Sequence, residues 1–179
     1  MKKILLAKRG DIDALENLEN AYMSRLFLEN EPLPAYPFEE AVEAKKVRIV
    51  LVGNRLSAFL AVSHDVRGSL FPGQSSRPFY DLLERLGNPS APGLVIERFA
   101  YDLERNAQGD LSALFKDFES NMKGSDYYLM LPAKMKGALK IWEGFGFQNL
   151  GTNWKEGDGV PYLLYKPFVQ AGLCRNIGW

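Results

Sequence analysis

The sequence predicts an α/β domain with a mixed, largely antiparallel central sheet of six to seven strands and helices on both faces. Three observations carry this reading. Val47 to Val52 and Leu56 to Ser63 are rich in branched and aromatic residues and are separated by Gly53-Asn54, a dipeptide suited to a tight hairpin turn. Apolar residues recur at helical spacing near 15–26, 111–122 and 135–142. Strand-like segments lie on either side of the second stripe, which is the strand, helix, strand order of a crossover.

Taken in order, Ile4 to Lys8 reads as a short strand, and Asp11 is placed to cap a helix carrying Leu15, Leu18, Tyr22 and Leu26. Pro32, Pro34 and Pro37 impose a loop, after which Phe38 to Ala44 supplies further helical turns. The hairpin follows. Residues 66–92 hold Gly, Ser and Pro clusters around a helix expected at Phe79 to Leu86; this is longer than connections in compact domains and reads as an insertion. Leu94 to Tyr101 is a strand, and Leu111, Leu114, Phe115, Phe118 and Met122 form a helical face closed by Lys123-Gly124. Tyr127 to Leu131 reads as a buried strand. Met135, Ala138, Leu139 and Trp142 make another helical stripe, and Phe145 to Gly151 with Val160 to Pro167 a final pair of strands. One domain over residues 1–168 is expected, with a tail over 169–179 whose apolar end packs on its own core or on the partner in a homodimer.

Composition narrows the function. Lysine plus arginine equals aspartate plus glutamate at 22 each, so the field that draws a protein onto nucleic acid is missing and no nucleic-acid partner is expected. The basic start and short apolar run at Met1 to Arg9 fall short of a signal peptide, and no stretch approaches the ~20 apolar residues that span a bilayer, so no membrane association is expected. A single cysteine, Cys174, permits no internal disulfide, which suits the cytoplasm. A single histidine, His64, excludes a multi-histidine metal site, and no metal is expected.

Three local patterns carry the chemistry. Leu6 to Leu15 runs from the end of a strand to Asp11 at the start of a helix. Glu97 to Leu114 runs from a strand through Glu104-Arg105-Asn106-Ala107-Gln108-Gly109-Asp110 into a helix, an arrangement whose backbone N–H groups can hold a pyrophosphate. Trp142-Glu143-Gly144-Phe145-Gly146-Phe147 follows Ala138 and precedes Gly151.

With the order of elements, these patterns resemble the GNAT superfamily of acetyl-CoA-dependent N-acetyltransferases over roughly residues 3–168. The resemblance implies an acyl-CoA N-acyltransferase fold, acetyl-CoA as co-substrate and an amine acceptor of unknown identity. It sets Ala107 and Gly109 at the small positions of the family's phosphate loop, with Glu104 where arginine or glutamine is usual. It makes Phe99, Ala100 and Tyr101, then Arg105 to Asp110, and Trp142 the cofactor-binding residues, with the backbone near Ala100 and Tyr101 holding the pantetheine arm and polarising the thioester. Trp142 stands where the family commonly has a tyrosine acid and Met135 where it often has asparagine, so Tyr127, Tyr128 and Tyr162 become substitute acids. By spacing alone, Trp142 and Met135 are core residues and Asp110 is a helix N-cap.

Glu97 is the candidate general base, because an amine must lose a proton as it attacks a thioester. It alternates with Val95, Phe99 and Tyr101, and an apolar face makes a carboxylate a better base. An ion pair or an exposed edge position is the competing reading. For function, an N-acetyltransferase acting by direct attack stands beside a non-catalytic domain of the same fold that binds CoA, a metabolite or a protein. The Pro-rich loop, the insertion and the Trp154 to Pro161 segment, with Tyr36 and Phe38 among their aromatics, are expected to shape the acceptor pocket.

Overall fold

A computed structural model describes residues 1–26, 35–63, 93–122, 124–131, 135–150 and 162–167. The expected insertion, the 151–161 loop, the tail beyond Pro167, Lys123, and Pro32 and Pro34 lie outside the described residues. The expected hairpin forms: β2 (Val47–Val52) and β3 (Arg55–Ser63) pair antiparallel about Gly53-Asn54. Gly53 takes φ 66° there, a left-handed conformation that costs glycine nothing.

Before the hairpin come β1 (Lys2–Leu6), a 3-10 turn (Arg9–Asp11), α1 (Ile12–Leu26) and α2 (Phe38–Glu43). After it come β4 (Gly93–Tyr101), α3 (Gln108–Asn121), β5 (Asp126–Leu131), α4 (Lys136–Gly144), β6 (Gln148–Asn149) and β7 (Tyr162–Lys166). Among the described residues the strands form one seven-stranded sheet in the order β1-β2-β3-β4-β5-β7-β6, in which only β4 and β5 run parallel.

Strand alternation assigns the faces. Arg48 of β2 bonds Asp117 of α3 at 2.5 Å; Leu60 lies opposite Arg48 and Phe99 opposite Leu60, so these side chains share the α3 face. Phe59 meets Phe38 of α2 at 5.3 Å, and Arg98 reaches Glu19 of α1 at 3.3 Å, so α1 and α2 cover the other face.

Three local details differ from the sequence expectation. Asp11 does not cap α1 forwards; its carboxylate accepts the Lys8 N–H at 2.8 Å and closes the 3-10 turn. α3 begins at Gln108, a turn before Leu111, because the Ala107 N–H is already tied to the Asp102 carbonyl at 3.0 Å. The strand expected at Phe145 to Gly151 shrinks to Gln148–Asn149, because Phe145 and Gly146 end the preceding helix.

That ending is a Schellman motif. Phe147 N–H bonds the Trp142 carbonyl at 3.1 Å and Gly146 N–H the Glu143 carbonyl at 2.9 Å, with Gly146 at φ 89°. The Phe147 ring then sits 5.2 Å from Trp142, the apolar contact that accompanies such a cap. Trp142 also meets Phe99, Phe115 and Phe145 edge-on at 5.0, 5.5 and 5.3 Å, so one side chain joins β4, α3 and the end of α4. Trp142→Ala is expected to lower the unfolding free energy by about 3–5 kcal/mol in urea melts. A loss below about 1 kcal/mol would contradict its place at the centre of the core.

Candidate functional site

β4 is paired on both sides for only half its length. Its parallel register with β5 runs from Gly93↔Asp126 to Ile96↔Leu129 and stops, while β5 continues to Leu131 in partnership with β7. On the β3 side the register steps from Ala61↔Arg98 to Val62↔Ile96, leaving Glu97 as an extra residue. Glu97 is therefore a β-bulge at the point where β4 and β5 part. Bulges of this kind bend a strand and re-aim a side chain.

Beyond the bulge, Asp102 N–H bonds the Ser57 carbonyl on β3 at 2.8 Å. Alternation then turns the backbone of Ala100 towards β3 and that of Phe99 and Tyr101 towards the opening. Of Phe99, Ala100 and Tyr101, the β4 residues expected to bind the cofactor, Phe99 and Tyr101 have backbone groups facing the gap, and Ala100 does not.

The bulge also corrects the expected surroundings of Glu97. It does not share an apolar face with Phe99 and Tyr101; it joins Arg98 on the α1–α2 side. The Tyr36 hydroxyl donates to Glu97 Oε2, and Lys46 Nζ lies 3.8 Å from Oε1. The Arg98 guanidinium stands 5.7 Å from the centre of the Tyr36 ring. Arg98 is 1 % exposed and pairs with the buried Glu19. Burial pulls the Arg98 pKa down, against the opposing effect of Glu19, and burial pushes Glu19 up, against Arg98. Sequence reasoning placed Tyr36 only among pocket aromatics; no local pattern announces a contact across 61 residues.

The loop between β4 and α3 folds on a residue that sequence reasoning missed. Asp102 is 6 % exposed, and its Oδ1 accepts the N–H groups of Glu104 and Arg105 at 3.1 and 3.3 Å. Aspartate bonding backbone just ahead of itself is ordinary turn chemistry and was the available signal. Asn106 N–H is taken by the Leu103 carbonyl, and Asn106 itself adopts φ 50°. The amides of Glu104 to Ala107 are thus spent inside the loop. Those of Gln108 and Gly109, in the first turn of α3, have no acceptor among the described residues. A Cβ built on Gly109 meets nothing within 4 Å, so that turn is open to a ligand.

Side-chain charges leave the same turn free for an anion. Glu104 is drawn aside to Arg25 of α1 at 3.0 Å, and Arg105 lies 3.8 Å from Asp102. Asp110 is not the N-cap, which is Ala107. Its carboxylate binds Lys2 at 2.6 Å and Ser57 Oγ at 2.5 Å. Its pKa falls below the usual value: burial works against the charge, but the hydrogen bonds from Lys2 and Ser57 and the Lys2 charge outweigh it. Beside this turn, a groove of about 350 Å³ between α3 and α4 is lined by Gln108, Ser112, Lys116, Lys140 and Phe145.

Two expected site residues are corrected. Trp142 is 0 % exposed and cannot touch a cofactor directly; it backs Phe99 from within the core, and its Nε1 has no hydrogen-bond partner among the described residues. Tyr128 pairs with Val95 and Tyr165 on the closed part of the sheet, 1 % exposed, and burial, then Asp126 and Tyr165, raise its pKa. Its place in the closed sheet keeps it from serving as the acid. Tyr127 donates to the Met122 carbonyl at 3.3 Å and is pushed up to about 12, by burial first and then Glu119. Tyr162, half-buried on β7 opposite Leu131, is the tyrosine of the three beside the end of β5 that borders the opening. No group of three or more metal-ligating side chains occurs among the described residues, and no helix there is long and apolar enough to cross a membrane.

Neither a family model nor any curated protein sequence matches the chain. Solved structures do. A GNAT-family acetyltransferase from Streptococcus agalactiae superposes with a TM-score of 0.68 at 17 % identity, over 94 % of this chain and 96 % of that one. The Escherichia coli ribosomal-protein-S18-alanine N-acetyltransferase gives 0.56 at 16 % identity, with both chains fully covered. Arabidopsis thaliana Naa50, solved with the bisubstrate analogue CoA-Ac-MVNAL, gives 0.60 at 13 % identity over 93 % and 99 %. The chain has the fold of the GNAT acetyltransferases.

The Asp110 cluster makes stability depend on pH with a definite sign. A carboxylate whose pKa is lower when folded contributes stability above its unfolded value of 3.8, and that contribution is lost as pH falls through the folded value. Thermal melts of Asp110→Asn against the parent protein should therefore differ at neutral pH and converge below that window. A gap of constant size across the series would contradict the Lys2 and Ser57 assignment.

Proposed function

We propose that the protein is an N-acetyltransferase that moves an acetyl group from acetyl-CoA to the amine of a small molecule or peptide. The observation that carries this reading is Glu97, a bulged carboxylate without a strand partner on either side, at the point where β4 and β5 separate. The chain's own residues suit the co-substrate. The Gln108 and Gly109 amides at the positive end of α3 would hold its pyrophosphate, and Lys116 and Lys140 beside the neighbouring groove would face its phosphorylated adenosine. The outward backbone groups of Phe99 and Tyr101 would take the amide-bearing arm.

Bound there, acetyl-CoA supplies an activated acyl carbonyl. Glu97 takes the proton that the acceptor ammonium must lose, directly or through water. No acid need stand opposite, because a thiol with a pKa of about 8.5 leaves tolerably as the thiolate. Tyr162 is the tyrosine best placed to assist. A peptide amine is supported by the E. coli and Arabidopsis neighbours, one acting on a ribosomal protein and the other bound to a peptide-bearing analogue.

A non-catalytic reading, in which the fold binds CoA or another partner without transfer, is favoured by one observation: Trp142 is sealed in the core where the family's acid is usual. Calorimetric titration with acetyl-CoA separates the two. Micromolar binding is expected, lost in Gly109→Leu, whose side chain projects into open space and so blocks the turn without disturbing the fold. Glu97→Gln should retain binding and lose roughly 10²–10⁴-fold in transfer to peptide amines. Binding without transfer in the parent protein would establish the non-catalytic reading, and no binding would end both CoA readings.

A further inference from the structure

We propose that Tyr36 is a positioning residue: its hydroxyl aims the Glu97 carboxylate, tying the segment ahead of α2 to the base. This rests on the acyl-transfer reading and extends it to a residue that need not touch the thioester. The Tyr36 ring is held from several directions. Phe38 meets it edge-on at 5.0 Å, and the Arg98 guanidinium lies 5.7 Å from its centre, itself paired to Glu19 of α1. Pro37 restricts the Tyr36 backbone to extended conformations, and the Tyr36 carbonyl accepts the Phe38 N–H at 2.8 Å. The hydroxyl is therefore fixed in place before it reaches Glu97.

The charged groups around Glu97 are Lys46 ahead of β2, Arg98 on β4 and Glu19 on α1, behind Arg98. Tyr36 is the neutral partner among them. Its hydroxyl donates to Glu97 Oε2 and so orients the carboxylate. Lys46, 3.8 Å away with a side chain 37 % exposed, can give way to an acceptor ammonium, while Tyr36 stays. Burial, then the Glu97 hydrogen bond and charge, hold the phenol protonated well above its usual range, with Arg98 pulling the other way, so the donor persists at any working pH.

Tyr36→Phe removes the hydroxyl and leaves the ring contacts. The expected result is a kcat lower by about tenfold with KM for acetyl-CoA within about twofold. The melting temperature should stay near that of the parent protein. Independently of turnover, the parent's proton NMR spectrum should contain a slowly exchanging downfield hydroxyl resonance, absent in Tyr36→Phe and displaced in Glu97→Gln. An active parent protein whose Tyr36→Phe variant keeps its kcat overturns this role and leaves acyl transfer standing. A parent that binds acetyl-CoA but acetylates no amine overturns both. Absence of the hydroxyl resonance overturns the contact itself.

Discussion

The structure turns on the place where β4 stops pairing with β5. A parallel pair of strands in the middle of a sheet ordinarily stays bonded along its shared length, since backbone groups buried without partners are costly. Here pairing ends after Ile96↔Leu129 although both strands continue, and the bulge at Glu97 bends β4 at that point. The backbone groups of Phe99 and Tyr101 face the resulting gap. A ligand with amide groups of its own is a natural partner for such an edge. The same break places the loop ending at Ala107 and the first turn of α3 at the far end of the gap.

The break needs rigid support, and the aromatic core supplies it. Trp142 sits against Phe99 on one side and Phe115 on the other, and the Schellman turn at Gly146 brings Phe147 onto the same indole. Tyr22 of α1 also packs against Phe99 and Tyr101, at 5.8 and 5.1 Å. Trp142 thus supplies packing behind the opened strand. The chemistry proposed for the site needs no acid there, because the leaving group is a thiolate.

Much of the fold is legible in the sequence, where local rules act alone. Gly53-Asn54 specifies the hairpin, the apolar runs specify β4 and β5, and Trp142 at helical spacing with Leu139 reads as core. The site is less legible because it depends on non-local facts. The alternation Val95, Glu97, Phe99, Tyr101 contains no sign of a bulge, so it assigned Glu97 to the wrong face. Tyr36 and Lys46 reach Glu97 through folding, not proximity in the chain. Asp102 could have been read from turn chemistry, and Gly146 from its position just past a helical stripe. The pairing of Asp110 with Lys2 and Ser57 joins three elements and has no local signature.

The central claim is that the parted strands and the start of α3 form one continuous ligand surface. Hydrogen exchange at single-amide resolution, with and without acetyl-CoA, tests it directly. The account predicts that the amides of Phe99, Tyr101, Gln108 and Gly109 slow together when acetyl-CoA is added, while Ala100, already turned to β3, changes little. Slowing confined to other faces of the sheet, or slowing at α3 with none on β4, would contradict it.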